Sequence, residues 1–600
     1  MFKKYFIKLN TLLTSKEKKR LIILLLMMIL GSFLEIAGIG ALPVFIAVVA
    51  KPQLLEKYPF IHNHLIQFGI ENSVQLLISG SIAIIIIFIF KNIYLGILNY
   101  KKAKTIFDIQ LRMSYDLFSL YLKAPYTFHL QRNSSELLSN VYDCVKIIIT
   151  GVMMPLMSIT MELLLILLTI VLLLTVETEI TLSTIAIFAL TGFIYLRLTK
   201  KESTNFGQEL NKLRTIVYKI VYEGFGGTKE IKILNREQFY INRFYDSSKR
   251  NALGMTHQSY INGLSKPILE TIAIATMLII AILLAKKNES VESVLPILAL
   301  FGFASVRLMP SINQIIGGYS SIRYSLPNID PVYNDFQQLN LEYTNRITEE
   351  KAKISIVFER EIKFKKVSYK YPSADTESLT DIELIINKGK AVAFVGSSGA
   401  GKTTIVDLLL GLLNPVSGKI IIDSEDLQQN ISSWQKQIGY IPQHIFLADN
   451  TIRNNIALGI EESEIDDTKI WNSIKLSQLE SLVNELPEGI QTEIGEKGVR
   501  LSGGQRQRIG IARALYHDPQ ILIMDEATSA LDNITEKYIV EEIEKLKGTR
   551  TVIIIAHRLT TVQNCDTIFY LEKGELIDSG TFDELINQNA SFKKLALIEN

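Results

Sequence analysis

Residues 391–412 read AVAFVGSSGAGKTTIVDLLLGL. The first five are uniformly apolar, as a strand buried on both faces must be, and the pattern over 404–412 is that of an apolar helix. Gly396, Ser397, Ser398, Gly399, Ala400, Gly401, Lys402, Thr403 and Thr404 occupy the junction. This order of strand, loop and helix is what a phosphate-binding loop requires. Its glycines let successive backbone N–H groups turn toward phosphate oxygens, and the helix N-terminus adds its positive dipole. Lys402 is placed to reach the terminal phosphates and the Thr403 hydroxyl to ligate magnesium. An α/β domain that handles a nucleotide is therefore expected around this stretch.

A second buried strand, ILIM over 521–524, ends in Asp525 and Glu526. Its carboxylates are expected at the C-terminal edge of the sheet, beside the phosphate loop, where Asp525 suits magnesium and Glu526 can polarise an attacking water. Between the two strands, LSGGQ at 501–505 runs into a helix expected over 506–516. Here the chain resembles the ATP-binding cassette (ABC) family. The family's other elements follow in order: Tyr371 in KYP, Gln443 in IGYIPQ, GEKG at 495–498, SALD at 529–532 and His557 in IIIAHR.

The resemblance covers essentially the whole chain, and it implies roles for these residues. Tyr371, in preference to Tyr369, would stack on adenine. Thr403, Gln443 and Asp525 would hold Mg2+, while Glu526, His557 and Gln443 would serve hydrolysis. Ser502, Gly503, Gly504 and Gln505 would meet the γ-phosphate of an ATP held by another copy. One chain carries one set of half-sites, so the resemblance implies a homodimer with ATP sandwiched between phosphate loop and signature.

The first half of the chain reads as membrane. The run 21–49 has only Glu35 as a charge and exceeds the roughly 20 residues that cross hydrocarbon. Further spans are expected over 74–100, 150–176, 180–198, 264–285 and 294–319. Lysines and arginines at 16, 18, 19, 20, 101, 102, 104, 200 and 201 place those flanks, and both chain ends, in the cytoplasm, with Lys286 and Lys287 dissenting. The long connections after the second and fourth spans read as helical hairpins interrupted at 125–133 and 224–228. The resulting architecture is a polytopic α-helical membrane domain of six transmembrane helices (1–327), with the type IV ABC exporter fold that the resemblance implies. A linker (328–354) and a cytoplasmic α/β P-loop nucleotide-binding domain (355–600) follow.

Composition narrows the alternatives. Across 600 residues the formal net charge is +2, so the whole chain gives no electrostatic support for nucleic-acid binding. Two cysteines exclude a disulfide framework. A hydrophobic share of 48% beside 21% charged residues is the average of an apolar half and an ordinary one. The N-terminal basic stretch leads into an apolar run too long for a signal-peptide core. No peptidase domain is expected before the first span, which weighs against export of leader peptides. A gated channel or regulatory subunit would be expected to lack an intact hydrolytic set.

The cargo must be read from the membrane half. Lys91, Lys266 and Arg307 lie within spans, where a charge is costly unless it meets a cavity or a partner. They are candidates for binding an anionic head group, the other reading being that the lysines snorkel or pair with Glu35, Glu162 or Glu270. Pro310 should kink the last span beside Arg307. The external stretch 51–73 reads as an interfacial helix or an ordered loop. SFLEIAGIGALPVFI (32–46) and FASVRLMPSINQIIGGY (303–319) resemble bacterial flippases of undecaprenyl-pyrophosphate-linked oligosaccharides. That resemblance implies a lipid-linked oligosaccharide as substrate at the bacterial inner membrane, the alternative being another amphiphile such as a lipid A precursor, drug or peptide.

Overall fold

In the computed structural model the described residues are 2–50, 67, 73–175, 178–286, 291–350, 356–372, 374–526, 548–556 and 559–599. Two compact units form. One comprises 1–124 with 132–343, and the other 125–131 with 344–600.

The first unit is helical. After a short α1 (Phe2–Leu12) come α2 (Ser15–Ala50) and α3 (Ser73–Lys123). The tip helix α4 (Tyr126–Gln131) belongs to the other unit, and α5 (Ser134–Leu174), α6 (Thr178–Gly226), α7 (Thr228–Ile233), α8 (Glu237–Lys286) and α9 (Val291–Ser325) complete the set. The expected spans thus lie within longer helices, the third as far as Leu174. Ile82, Ile85, Ile86, Ile89 and Phe90 stand exposed along α3, an apolar surface suited to lipid. The break at 125–133 holds α4, whereas at the second tip α6 runs on to Gly226 and α7 begins only at Thr228. The stretch expected as a linker is instead helical over α10 (Ile329–Glu350). Its apolar residues Ile329, Val332, Phe336 and Leu339 recur at helical spacing and are buried, a stripe that the polar average of the segment conceals.

Polar contacts tie α10 to its neighbours in this unit. Asp330 accepts from Tyr5 Oη at 3.0 Å and pairs with Lys8 Nζ at 2.5 Å, which fixes α1. Asp335, 1% exposed, accepts from Tyr121 Oη (2.5 Å), Asn140 Nδ2 (3.1 Å) and Arg132 Nη2 (3.3 Å). Within α5 two turns are π-helical, Asn140–Cys144 and Ile149–Met153. A Cβ at Gly151 would run into Ser325 Oγ, so only glycine permits that approach of α5 to the end of α9.

The second unit contains two sheets. β1 (Glu361–Tyr369), β2 (Leu379–Asn387), β4 (Ser417–Ile422) and β5 (Glu425–Asp426) form an antiparallel sheet in the order β2-β1-β4-β5. The larger sheet runs β10-β9-β3-β8-β7-β6, from β3 (Ala391–Val395), β6 (Ile438–Ile441), β7 (Ile521–Asp525), β8 (Thr551–Ile555), β9 (Thr567–Glu572) and β10 (Glu575–Gly580). All its pairings are parallel except that of β9 with β10. Strands β3 and β7 are buried throughout, as their unbroken apolar runs require. Trp434 anchors the core beneath, fully buried and donating Nε1 to the Leu409 carbonyl at 2.6 Å.

Candidate functional site

The loop after β3 enters helix α11 (Lys402–Leu409). Gly401 is left-handed at φ 100°, and a Cβ there would stand 2.5 Å from Leu379 Cδ2, so the turn demands glycine twice over. Lys402 is 6% exposed and donates Nζ to the carbonyls of Gly396 (2.6 Å) and Ser397 (3.1 Å), which stretches its stem along the loop. The loop forms one wall of a cleft of about 590 Å³ that also receives Tyr371, Gln443 and Glu526. The expected Ser398, Gly399, Ala400, Thr403 and Thr404 line it too, while Gly396 and Ser397 sit at the strand exit. Tyr369 is buried, 3% exposed, with its ring edge-on to Tyr371, whose hydroxyl lies 3.3 Å from Thr404 Oγ1. Of the two tyrosines, Tyr371 alone among the cleft-lining residues presents a ring there.

At the C-terminal end of β7, Asp525 is buried and Glu526 turns left-handed at φ 49°. Glu526 N donates to the Ile555 carbonyl (3.1 Å), and its Oε2 accepts from Gln443 Nε2 at 2.5 Å. Gln443 therefore reaches the carboxylate from the loop after β6. Asp407, on α11, was not anticipated: burial, and then the Asp525 carboxylate, push its carboxyl up to about 6. Thr403, Gln443 and Asp525 offer hydroxyl, amide and carboxylate oxygens, the donor set that a hard cation prefers. Among the described residues no group of three or more His, Cys, Asp or Glu could hold a metal by itself. A magnesium ion here would draw its other ligands from phosphate and water, as magnesium usually does, so the residues fit it in that form. His557 and the SALD stretch fall outside the described residues.

The signature starts helix α12 (Gly503–Tyr516). Ser502 is its N-cap: its hydroxyl accepts from Gln505 N at 3.2 Å, and Gln505 Oε1 accepts from Ser502 N at 2.8 Å. This capping box leaves Ser502, Gln505 and the partly exposed Gly503 and Gly504 at the open end of the helix. Sequence reasoning also missed Glu377, Ser378, Lys573 and Gly574, which line the cleft from the segment just before β2 and from the β9–β10 turn and carry no motif.

In the membrane unit, Lys91 Nζ lies 3.9 Å from Glu35 Oε1 and 4.6 Å from the centre of the Phe88 ring. Pairing with Glu35 is thus the arrangement that the structure adopts for this lysine. Lys266 and Glu270 are exposed on α8. The Arg307 side chain and the stretch 51–66 with 68–72 lie outside what is described.

The ABC transporter family model matches residues 379–529, and the ABC transporter transmembrane region model matches 21–308. The heterocyst differentiation ATP-binding protein HepA of Nostoc sp. is 35% identical over 420 residues, 69% of this chain and 67% of its own. An ATP-dependent lipid A-core flippase of Ralstonia nicotianae is 30% identical over 507 residues, 82% of each chain. Among solved structures, a bacterial Atm1-family ABC exporter with ATP bound shares the fold, with TM-score 0.78 over 97% of this chain and 99% of that one, at 23% identity. With a transmembrane region and an ATP-binding domain in one polypeptide, the chain belongs to the ABC transporters as an exporter half-transporter that couples ATP hydrolysis to transport.

Proposed function

We propose that the chain works as a homodimer in the bacterial cytoplasmic membrane and flips a lipid-linked oligosaccharide with a polyprenyl-pyrophosphate head toward the outer face. The observation that carries this reading is the match, over 82% of both chains, to a protein named a lipid A-core flippase, which makes an amphiphile with an anionic head the natural cargo class. Within that class, the stretches 32–46 and 303–319 favour the pyrophosphate-linked oligosaccharide. Arg307 and Lys266 are the proposed head-group contacts. Lys91 joins them only by exchanging Glu35 for a phosphate.

In the cassette, the backbone N–H groups from Gly396 to Gly401 and the α11 N-terminus receive phosphate charge, and Lys402 trades its loop carbonyls for β and γ oxygens. Tyr371 stacks on the base. Thr403, Gln443 and Asp525 would hold magnesium, which would supply positive charge against the phosphates. Glu526 accepts a proton from the attacking water while Gln443 steadies its carboxylate, and His557 holds the γ-phosphate. Ser502 and Gly504 of a second copy close the site.

Two measurements test this. Glu526→Gln should keep ATP binding and lose steady-state hydrolysis by about 100-fold or more; near-normal turnover would remove Glu526 from the role. In liposomes, polyprenyl-pyrophosphate oligosaccharide should stimulate hydrolysis more than lipid A or hydrophobic drugs. Stimulation by drugs alone would refute the cargo.

A further inference from the structure

Glu526 sits in a backbone conformation that a non-glycine residue adopts only when its surroundings hold it there. Hydrogen bonds to the amide, the carboxylate and the carbonyl hold it. The amide is tied to Ile555 O on β8 and the carboxylate to Gln443, as described. The third tie comes from elsewhere: Gln507 Nε2 donates to the Glu526 carbonyl oxygen at 3.3 Å. Gln507 is 4% exposed and lies in the second turn of α12, the helix that begins at the capped signature residue Ser502. It lines with Gln443 a cleft of about 210 Å³, and the two amides hold Glu526 at two points, one at its carboxylate and one at its main chain.

The bond matters because of where the peptide unit lies. A donor fixed on the Glu526 carbonyl oxygen restrains ψ at that residue, and so the backbone from which its side chain starts, while Gln443 restrains the carboxylate at the other end. The helix bearing the donor is capped at Ser502 and anchored just beyond Gln507, where Ile509, Gly510, Ile511 and Ala512 are buried. One capped helix thus carries both the first turn of the signature and the donor to the Glu526 carbonyl.

We infer that Gln507 is a positioning residue that aims the Glu526 carboxylate of its own cassette and ties that aim to the seating of its own signature motif. The inference rests on the reading of Glu526 as the group that activates water and of Ser502 as facing the nucleotide of the other copy. The helix whose first turn meets one nucleotide then sets the hydrolytic group that serves the other.

The test uses the full-length dimer. Gln507→Leu, which keeps bulk and loses the donor, should lower kcat for ATP about tenfold, the equivalent of one hydrogen bond, with KM changed less than twofold and the thermal midpoint within 2 °C. Gln507→Asn, which restores an amide on a shorter stem, should recover part of the rate. Purified mixed dimers then separate the two directions of action. With Glu526→Gln in one copy, the remaining active site should be slowed when Gln507→Leu is in the copy that keeps Glu526, and unaffected when it is in the copy carrying Glu526→Gln. The reverse pattern, equal slowing in both, or a raised KM with kcat intact would overturn the inference. Full activity of dimers carrying Glu526→Gln in both copies would instead overturn the underlying reading of Glu526.

Discussion

Asp335 offers the sharpest test of how the first unit is held together. Replacing it by Ala withdraws the acceptor from three donors, but these do not weigh equally. Arg132 keeps Glu136 at 2.6 Å and its side chain is 31% exposed, so water and that partner take up most of its loss. Tyr121 and Asn140 are buried, with the Tyr121 hydroxyl 2.5 Å from the carboxylate and the Asn140 amide 3.1 Å from it. Each forfeits about 1–3 kcal/mol when its buried partner goes, giving a total near 4 kcal/mol. At roughly 2 °C per kcal/mol for a unit of this size, the midpoint should fall by about 8 °C. Cys144 supplies the reporter, being buried in this unit beside Asn328, while Cys565 is buried in the cassette. In a Cys565→Ser background, thermal labelling with a thiol-reactive fluorophore reads the membrane unit alone. In a Tyr121→Phe background the same substitution should cost less, because one of the stranded donors is already gone. A midpoint within 1 °C of the parent, or identical costs in both backgrounds, would refute the reasoning.

Two further outcomes concern the cassette, whose two tryptophans, Trp434 and Trp471, report its unfolding by fluorescence. The Asp423 carboxylate accepts from the amides of Glu359 (2.7 Å), Arg360 (2.9 Å) and Glu361 (2.8 Å); burial pushes its carboxyl up, yet these bonds outweigh that and hold it below its ordinary value. A depressed carboxyl stabilises the fold above about pH 4 and loses that contribution as pH falls through the lower folded value. Asp423→Asn, which tolerates the left-handed turn at this position, should cost about 1–2 kcal/mol at pH 7 and little below pH 3; a pH-independent deficit would contradict this. Gly401→Ala must adopt a left-handed φ against Leu379, a strain of about 1–2 kcal/mol before any clash. It should abolish binding of a fluorescent ATP analogue, and retained affinity would show that the loop has another accessible shape.

What could be read from the sequence was local. The phosphate loop, the strand ending in Asp525 and Glu526, and the signature each declare themselves within about ten residues, because strand, turn and helix chemistry is short-ranged. The residues that complete the site do not. Asp407 feels the Asp525 charge from the neighbouring helix, Gln507 meets Glu526 over a separation of 19 residues, and Lys573 arrives from a turn with no motif. In the membrane half, composition identified the spans but could not decide between a lysine awaiting an anion and one already facing Glu35, since that depends on helix rotation. The two π-helical turns in α5 defeat such reasoning further, because each extra residue per turn advances the buried face beyond what a 3.6-residue period predicts. The missed helices were legible in principle: Tyr5, Leu9 and Leu12 in α1, and the Ile329, Val332, Phe336 and Leu339 stripe of α10, recur at helical spacing.

The capping box at Ser502 makes the signature a finished surface in a single chain. A serine hydroxyl that accepts from the Gln505 amide still has its own hydrogen to give, so capping the helix and donating to an anion do not compete for the same atom. Ordering this turn is already complete when a ligand arrives, and association forfeits little loop entropy there. The same economy removes evolutionary slack. A substitution at Ser502 or Gln505 weakens the start of α12 as well as whatever the motif touches, so its folding role and its recognition role can be lost together but not tuned apart.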